Sequence, residues 1–529
     1  MGGGALPGGS GRLRARAQAR LAGAHGGRRR GLLRRRPAGG GGRGRAGAHQ
    51  TARGRGRDLR LGRPRFLGRP VAHPQARRAR QRRGREGDGG GRRAPLGDLV
   101  RERARRRHRS GRHGGRAGER PHARDAHRAR RALEGARAAA VSHALYLLDP
   151  DPVPAWAPFA GARPLCELRA GAHLIRERWE TFVGAETAAI FALPHLAGFA
   201  EAGVPLVAAR RPVPGPAVIG SSTFAPRGLA PALPGGAFRL TSGGVTVGWG
   251  VGPGATWAGP QPHAAAIEVP GVVLHGVFDL VPALERLLPD DLRALLGDSD
   301  PLPAGSTVLG DPAAIALRDA AVEPGVVFDV RNGPVVLESG AEVRAGARLE
   351  GPLWIGANAH VLGGPVRASA LGPRTNARGE LSNCVFLGYA NKAHDGFVGH
   401  CVIGRWANLG AGTITSNLKN TYGRVRLEIA GTRLETGLQF LGSLIGDHAK
   451  TAIGTLLGTG TVIGTGANVF DDVRPPKYVA PFAWGGAGGG RMTRDGFLTI
   501  AGRVLPRRDV VVDDATRAML ERIYDWATR

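Results

Sequence analysis

The sequence predicts a left-handed parallel β-helix over residues 326–486, preceded by a mixed α/β domain over residues 141–300. Two observations predict this: a six-residue repeat of aliphatic side chains in the second half, and short apolar runs alternating with helical patches before it. Every sixth residue from Leu337 reads Leu337, Val343, Leu349, Ile355 and Val361. The frame returns at Val385, Phe397, Ile403 and Leu409, and again at Ile445, Leu457, Ile463 and Val469. Of the 23 frame positions from 337 to 469, 14 are aliphatic or Phe, which is too regular for an ordinary all-β domain with glycine-rich turns. A period of six suits neither a helix nor an alternating strand. It suits hexapeptide coils, three hexapeptides to one triangular turn. The aliphatic residue points into the prism, and the small residue two earlier (Ala347, Ala359, Ala407, Ala449) fits the corner. The frame lapses at Arg367, Pro373 and Gly379, and at Thr421, Arg433 and Gln439; both stretches are expected to be loops thrown out from the prism.

Upstream, ALYLLD at 144–149 reads as a buried strand. Residues 172–183 carry Leu174, Ile175, Trp179 and Phe182 at helical spacing, and residues 280–284 lead into another helix. Residues 301–325 are rich in Pro, Gly and Ala and read as a linker. Residues 487–529 form a C-terminal extension. Its segment 513–528 predicts a capped amphipathic helix with Met519, Leu520, Ile523 and Trp526 facing inward, placed to close the end of the prism.

The 529-residue chain has a formal net charge of +33, and residues 1–140 account for all of it, with 41 arginines, no lysine and eight acidic residues. The rest is neutral, so no specific nucleic-acid partner is expected for it. Residues 1–140 have Phe66 as their one aromatic and too few apolar side chains to offset ordering entropy; they are expected to be disordered. Three readings stay open for them: a basic tail for RNA or DNA, a targeting peptide, and GC-rich DNA read upstream of the true start, with Val141 as initiator. Cys166, Cys384 and Cys401 are scattered and imply neither a disulfide framework nor a zinc site. No apolar run of about 18–20 residues occurs, so a cytoplasmic enzyme without a membrane span is expected.

The stretch NKAHDGFVGHCVIGRWANLGAGTITSN at 391–417 resembles the acetyltransferase domain of the bifunctional N-acetylglucosamine-1-phosphate uridyltransferase/glucosamine-1-phosphate N-acetyltransferase family. The closer resemblance is to a divergent bacterial branch, labelled sugar nucleotidyltransferase. It is carried by ARPLCELRAG at 162–171, EPGVVFDVRNGPV at 323–335, ELSNCVFLGYANKAHDGFVGH at 380–400, LETGLQFLGSLIGDHAKTAIGT at 434–455 and PPKYVAPFAWGG at 475–486. The resemblance implies an α/β nucleotidyltransferase-like domain ahead of the β-helix. It implies acetyl transfer from acetyl-CoA to an amino-sugar phosphate, in nucleotide-sugar and cell-envelope precursor synthesis, by a homotrimer with sites between neighbours.

The family's catalytic base precedes the Asn of an Asn-Leu/Ile-Gly-Ala-Gly-Thr motif by fourteen residues; that Asn is Asn408 here, and the base is His394. Glu380 matches a family glutamate, and Asn417 a family asparagine. The chemistry suits these types. An amine attacks a thioester only as the free base, and a neutral imidazole takes its proton near physiological pH. Glu380 is expected to bond the other ring nitrogen. The Gly410-Ala411-Gly412 backbone is expected to offer N–H donors to the oxyanion. Asn408 and Asn417 are expected to bond sugar hydroxyls or the phosphate. A family lysine that contacts the sugar phosphate aligns with Ser382, and a tyrosine with Phe397; Lys392 or Arg405 is expected to replace the lost charge. The coils from Ser443 to Ala467 resemble the region lining the pantetheine groove, which makes Gly410, Ala411, Ser443 and Lys450 the coenzyme-side candidates.

The family's nucleotidyltransferase domain opens with a glycine-rich phosphate loop. DPDPVPAWAPFA at 149–160 stands in its place, and prolines lack the N–H groups a phosphate needs. Arg163 and Arg169 are the nucleotide-binding candidates. Asp279 is a candidate metal aspartate, against an ordinary N-cap role. No metal ligand set is assigned, and Mg2+ enters only if this half is active. Two other functions stay open: a sugar-1-phosphate nucleotidyltransferase using UTP or dTTP with the β-helix as trimer scaffold, and a non-catalytic protein with a degenerate site.

Overall fold

The structure, a computed structural model, describes residues 142–297, 299–486 and 489–529; the expectations for residues 1–140 and for Val141 lie outside these residues. Ala144–Leu148 (β1) is an inner strand of a seven-stranded sheet, with Leu145 and Leu147 fully buried. It runs parallel to Thr187–Phe191 on one side and Ala217–Ser221 on the other. Val245–Val251 then pairs antiparallel with Ala217–Ser221, so the sheet is mixed. The helical spacing at 172–183 becomes Ile175–Val183 (α1). Glu177 accepts from the Leu174 N–H at its start, and Gly184 ends it at φ 77°, a conformation that costs glycine nothing. Leu280–Leu295 (α2) buries Leu280, Leu284, Leu288 and Leu292 on one stripe.

Thr307–Leu309, Ile315–Leu317 and Ala321–Val322 open a three-sided coil. Each begins one face, and each strand pairs in parallel with its counterpart in the next turn. Face I starts at Thr307–Leu309, face II at Ile315–Leu317 and face III at Ala321–Val322. The coil therefore begins inside residues 301–325, and the linker expected there is corrected. Its Pro and Gly residues lie between the strands, while Ile315, Ala316 and Leu317 lie in the core.

The first lapse of the six-residue frame is also corrected. Residues 367–379 stay in the coil, with Val366, Leu371 and Ala377 filling the interior. Here the turns are short: Ile355 stands over Leu371, Leu371 over Phe386 and Phe386 over Ile403, steps of 16, 15 and 17 residues. The step from Leu337 to Ile355 is 18. Together the short steps make a multiple of six, so the frame resumes in phase at Ile403. Between them it slips by one, and Phe386 and Val398 point inward where the frame names Val385 and Phe397. The second lapse is a true excursion. Ile403 pairs with Ile445, a step of 42 residues, and the hairpin Arg426–Ile429/Thr432–Glu435 leaves the prism.

Face II is apolar on both sides. Its inward residues, such as Leu337, Ile355, Ile403 and Ile463, fill the prism. Its outward residues, such as Val336, Trp354, Val385, Val402 and Leu444, belong to the core of the α/β domain. α2 lies across the strands Val335–Leu337, Leu353–Ile355 and Val385–Phe386. Beside this wall four charges cluster, Arg163 and Asp447 buried and Glu201 and Arg405 partly buried. Arg163, 1% exposed, bonds Asp447 at 2.6 Å and Glu201 at 2.9 and 3.2 Å. Arg405 reaches Glu201 at 3.1 Å, and its backbone N–H donates to Asp447 at 2.8 Å. Two cations facing two anions offset a desolvation cost that each ion alone would bear.

After the last turn come Arg494–Val504 (α3) and Asp514–Ala527 (α4). Asp513 caps α4 by accepting from the Thr516 N–H at 2.8 Å. Met519, Leu520 and Ile523 are buried as their spacing predicts. α4 does more than close the prism, however. Tyr524 packs on Phe482 of the last turn, while Trp526 stacks on His195 at 4.7 Å and Arg522 donates to the His195 and Ala197 carbonyls. The helix ties the coil's end to the α/β domain. Among the described residues no helix is long and apolar enough to cross a membrane.

Two outcomes are expected. Arg163→Ala strands the Asp447 and Glu201 carboxylates and should cost about 3–5 kcal/mol in urea unfolding; a loss below about 1 kcal/mol would remove the cluster from its role. His448 is buried between Trp406 and Phe497, and burial pushes its imidazole down to about 3. An unfolded histidine titrates near 6.5, so the unfolded state takes the proton first. Stability present above about pH 6.5 is lost as pH falls toward 3, by up to ~1.4 kcal/mol per pH unit. His448→Asn, which tolerates the φ of 59°, should flatten that slope in urea midpoints measured between about pH 4 and 6.5.

Candidate functional site

His394 lies on the corner between the face III strand Asn391–Lys392 and the face I strand Val398–Gly399. Its side chain is exposed, and among the described residues its ring makes no hydrogen bond. The corner itself is fixed. The Gly412 N–H donates to the Asp395 carbonyl at 3.1 Å. A Cβ on Gly396, at φ 134°, would meet the Thr413 carbonyl oxygen at 2.4 Å. From inside, Lys392 donates its ammonium to the carbonyls of Arg378 (3.2 Å) and His394.

That arrangement corrects the role expected of Lys392. It occupies the inward position of face III, opposite Ala377, and is fully buried. Burial pulls its ammonium down to about 8. It braces the corner from within and cannot meet a substrate on the outside. Glu380 is corrected too. Leu381 points into the prism, which turns Glu380 outward on face I, where Arg367 bonds it at 2.8 Å. Among the described residues no hydrogen bond joins Glu380 to His394.

Asn408 and Asn417 lie on the two sides that meet at this corner. Asn408 ends a ladder on face III: Asn376 donates to Asn391 at 3.1 Å, and Asn391 to Asn408 at 2.8 Å. Asn408 and Lys450 line a cavity of about 340 Å³ with Tyr389. The Lys450 ammonium donates to the His448 carbonyl at 3.0 Å, and burial pulls it down to about 8. Asn417 pairs instead with His400 Nδ1 at 2.9 Å. His400 stacks on Phe440, and burial lowers its imidazole to about 4, so it stays a neutral acceptor. Among the family positions that differ, Ser382 donates to Asn383 at 2.9 Å, and Phe397 lies against Gly399.

Other candidates are consumed by the fold. Arg405 belongs to the charge cluster and sits over the Tyr389 ring at 4.7 Å. Ser443 is fully buried, its N–H on Cys401 Sγ, and cannot face a coenzyme. The Gly410 N–H donates to Thr451 and that of Gly412 to Asp395. Of the three expected oxyanion donors, the Ala411 N–H alone has no acceptor among the described residues. Sequence reasoning missed a cavity of about 740 Å³ beneath the excursion, lined by Ser416, Lys419, Thr459, Arg474 and Lys477. Its only signal was the second lapse of the frame followed by Pro475-Pro476.

In the α/β domain the place of the phosphate loop is filled by Trp156 and Phe159, both in the core, and Thr465 of the coil donates to the Pro158 carbonyl at 2.9 Å. Arg163 is locked in the charge cluster. Arg169 lies buried over Trp354 at 4.4 Å and donates to the Ala172 carbonyl. Neither is free for a nucleotide phosphate, so both expectations are corrected. Mg2+ would need acidic ligands here. The Asp149 carboxylate instead accepts the Leu165 N–H, and burial raises it to about 7. Asp279 accepts from the His275 N–H at 2.7 Å. Among the described residues no three His, Cys, Asp or Glu side chains group as a metal site.

Residues 145–231 match the family described as sugar nucleotidyl transferase. The chain is 32% identical over 145 residues to the bifunctional sugar-1-phosphate nucleotidylyltransferase/acetyltransferase of Sulfurisphaera tokodaii, covering 26% of this chain and 36% of that protein. It is 30% identical over 162 residues to the bifunctional protein GlmU of Jannaschia sp., covering 30% of this chain and 32% of that protein. The chain thus spans about a third of the length of these curated relatives. The Arabidopsis UDP-N-acetylglucosamine acyltransferase structure aligns with a TM-score of 0.22 and 12% identity, over 43% of this chain and 97% of that one.

Lys392→Met keeps the buried volume and removes the bonds to Arg378 and His394. Amide exchange across residues 393–397 should rise by roughly tenfold or more while the global urea midpoint moves little; unchanged exchange would remove Lys392 as the brace.

Proposed function

We propose that this chain is an acyltransferase that moves an acetyl group from acetyl-CoA to the amine of an amino-sugar phosphate of the glucosamine-1-phosphate kind. The observation that carries the reading is the exposed, unbonded imidazole of His394 on a corner fixed from both sides. The similarity to bifunctional nucleotidylyltransferase/acetyltransferases supports it. The sugar nitrogen attacks the thioester carbonyl, and His394 takes its proton. The C–N bond forms, the C–S bond breaks, and coenzyme A leaves as the thiolate, which His394 reprotonates. The Ala411 N–H is the backbone donor to the oxyanion. Asn408 binds the sugar, and the cavity with Lys419, Arg474 and Lys477 takes the donor, whose phosphates suit three cations.

The same reading includes a left-handed coil, a cytoplasmic homotrimer and sites completed between neighbours. Glu380 takes no direct part in it, since Arg367 holds the carboxylate. The match of residues 145–231 favours nucleotidyl transfer as a second reading. The burial of Arg163 and Arg169 weighs against it.

Thiol release from acetyl-CoA with glucosamine-1-phosphate tests the first reading. His394→Ala should lower the rate by about 10²–10⁴ with an unchanged circular dichroism spectrum, and full activity in the variant would sink the assignment. Pyrophosphate release from UTP or dTTP with sugar-1-phosphates would carry the second.

A further inference from the structure

We infer that the cleft between face III and the C-terminal turn Leu505–Arg508 binds a phosphomonoester carried on a sugar ring. The cleft is the cavity of about 340 Å³ already described on the Asn408 side. The turn follows α3 and brings Arg507 and Arg508 to it, across from Lys450. Three cations thus face one cavity, and no carboxylate lines it among the described residues. Asp509, the acid next in sequence, pairs with Arg374 at 2.8 Å. Lys450 makes its bond to a backbone carbonyl, and Arg508 bonds the Arg507 carbonyl. Like charges converge on a partly enclosed space only at a cost, which an anion of two charges removes. Paired guanidiniums suit phosphate oxygens better than ammonium groups do.

The other wall fits a sugar. Asn408 lines the cavity and gives its oxygen to Asn391, and its amide N–H groups have no acceptor among the described residues. Tyr389 lines the same cavity, its ring packed on Trp406 at 4.4 Å and under the Arg405 guanidinium at 4.7 Å. A volume of this size matches a phosphorylated monosaccharide. Two of the three cations, Arg507 and Arg508, come from an extension outside the repeat, and Lys450 comes from the coil itself. The inference rests on the proposed acyl transfer for the identity of the sugar, and its binding test does not depend on turnover.

Calorimetric titration of the full chain with glucosamine-1-phosphate, glucosamine, coenzyme A and dephospho-coenzyme A tests it. Arg507→Gln and Arg508→Gln should each weaken glucosamine-1-phosphate by about tenfold or more, and Lys450→Met should do the same. Glucosamine, which lacks the phosphate, should respond to none of them. Loss confined to coenzyme A, with dephospho-coenzyme A unaffected, would assign the pocket to the donor's 3′-phosphate and keep the shared chemistry. No binding by the unaltered chain, or equal affinities in all variants, overturns the proposal. Binding that depends on Arg507 and Arg508 without any acetyl transfer would overturn the acyltransferase reading and leave this one standing. Transfer whose KM ignores all three substitutions would do the reverse.

Discussion

Face II of the coil is a wall with two apolar sides, and the rest of the described chain is arranged around it. A strand with one solvent face alternates apolar and polar residues, whereas a strand covered on both faces reads as a continuous apolar run. Val335–Leu337, Leu353–Ile355, Val402–Ile403 and Val462–Ile463 are such runs. One side of each closes the prism, and the other closes the α/β core. Neither half can bury its apolar surface without the other. The charge cluster at the edge of this wall adds direction, because Arg163 finds both its carboxylates only in one docking position.

That shared wall explains the fate of the phosphate-loop segment. The resemblance implied a phosphate loop after β1, exposed to solvent. Here Trp156 and Phe159 turn it into packing material, and Thr465 holds the Pro158 carbonyl. Asp149 is desolvated beneath it. The chemistry that remains exposed lies on the opposite corner of the coil, where His394 projects and where the faces that carry Asn408 and Asn417 meet.

Much of the coil was readable in the sequence because its interior is selected at one position in six. β1 and α1 were readable because their apolar spacing is local. The candidate site was less so. His394 and Asn408 were found through a resemblance, and the structure sets both on the outside of the coil. Arg405, Arg163 and Arg169 were misread because a sequence records a cation but not whether its partner lies across a domain contact. Lys392 was misread because the slipped frame turns it into the prism, where the six-residue count names Asn391. Glu201 and Asp447, which hold Arg163, stand 38 and 284 residues away from it. The first frame lapse was misread as a loop because a count in sixes cannot tell a shortened turn from a departure.

The doublets of face II also govern how the chain tolerates changes of length. Losing one residue at a corner exchanges which member of the next strand points inward. In an alternating strand that would drive a polar side chain into the prism. In Val385–Phe386 or Val402–Ile403 it exchanges one hydrophobe for another, as the slip of frame at Phe386 already illustrates. Deletions should therefore accumulate during divergence at corners leading into this wall. Faces I and III pass through the same short turns, with steps of 17, 15 and 17 residues on face I and 16, 15 and 17 on face III. There the slip carries a polar residue, Lys392, into the prism, where backbone carbonyls satisfy it.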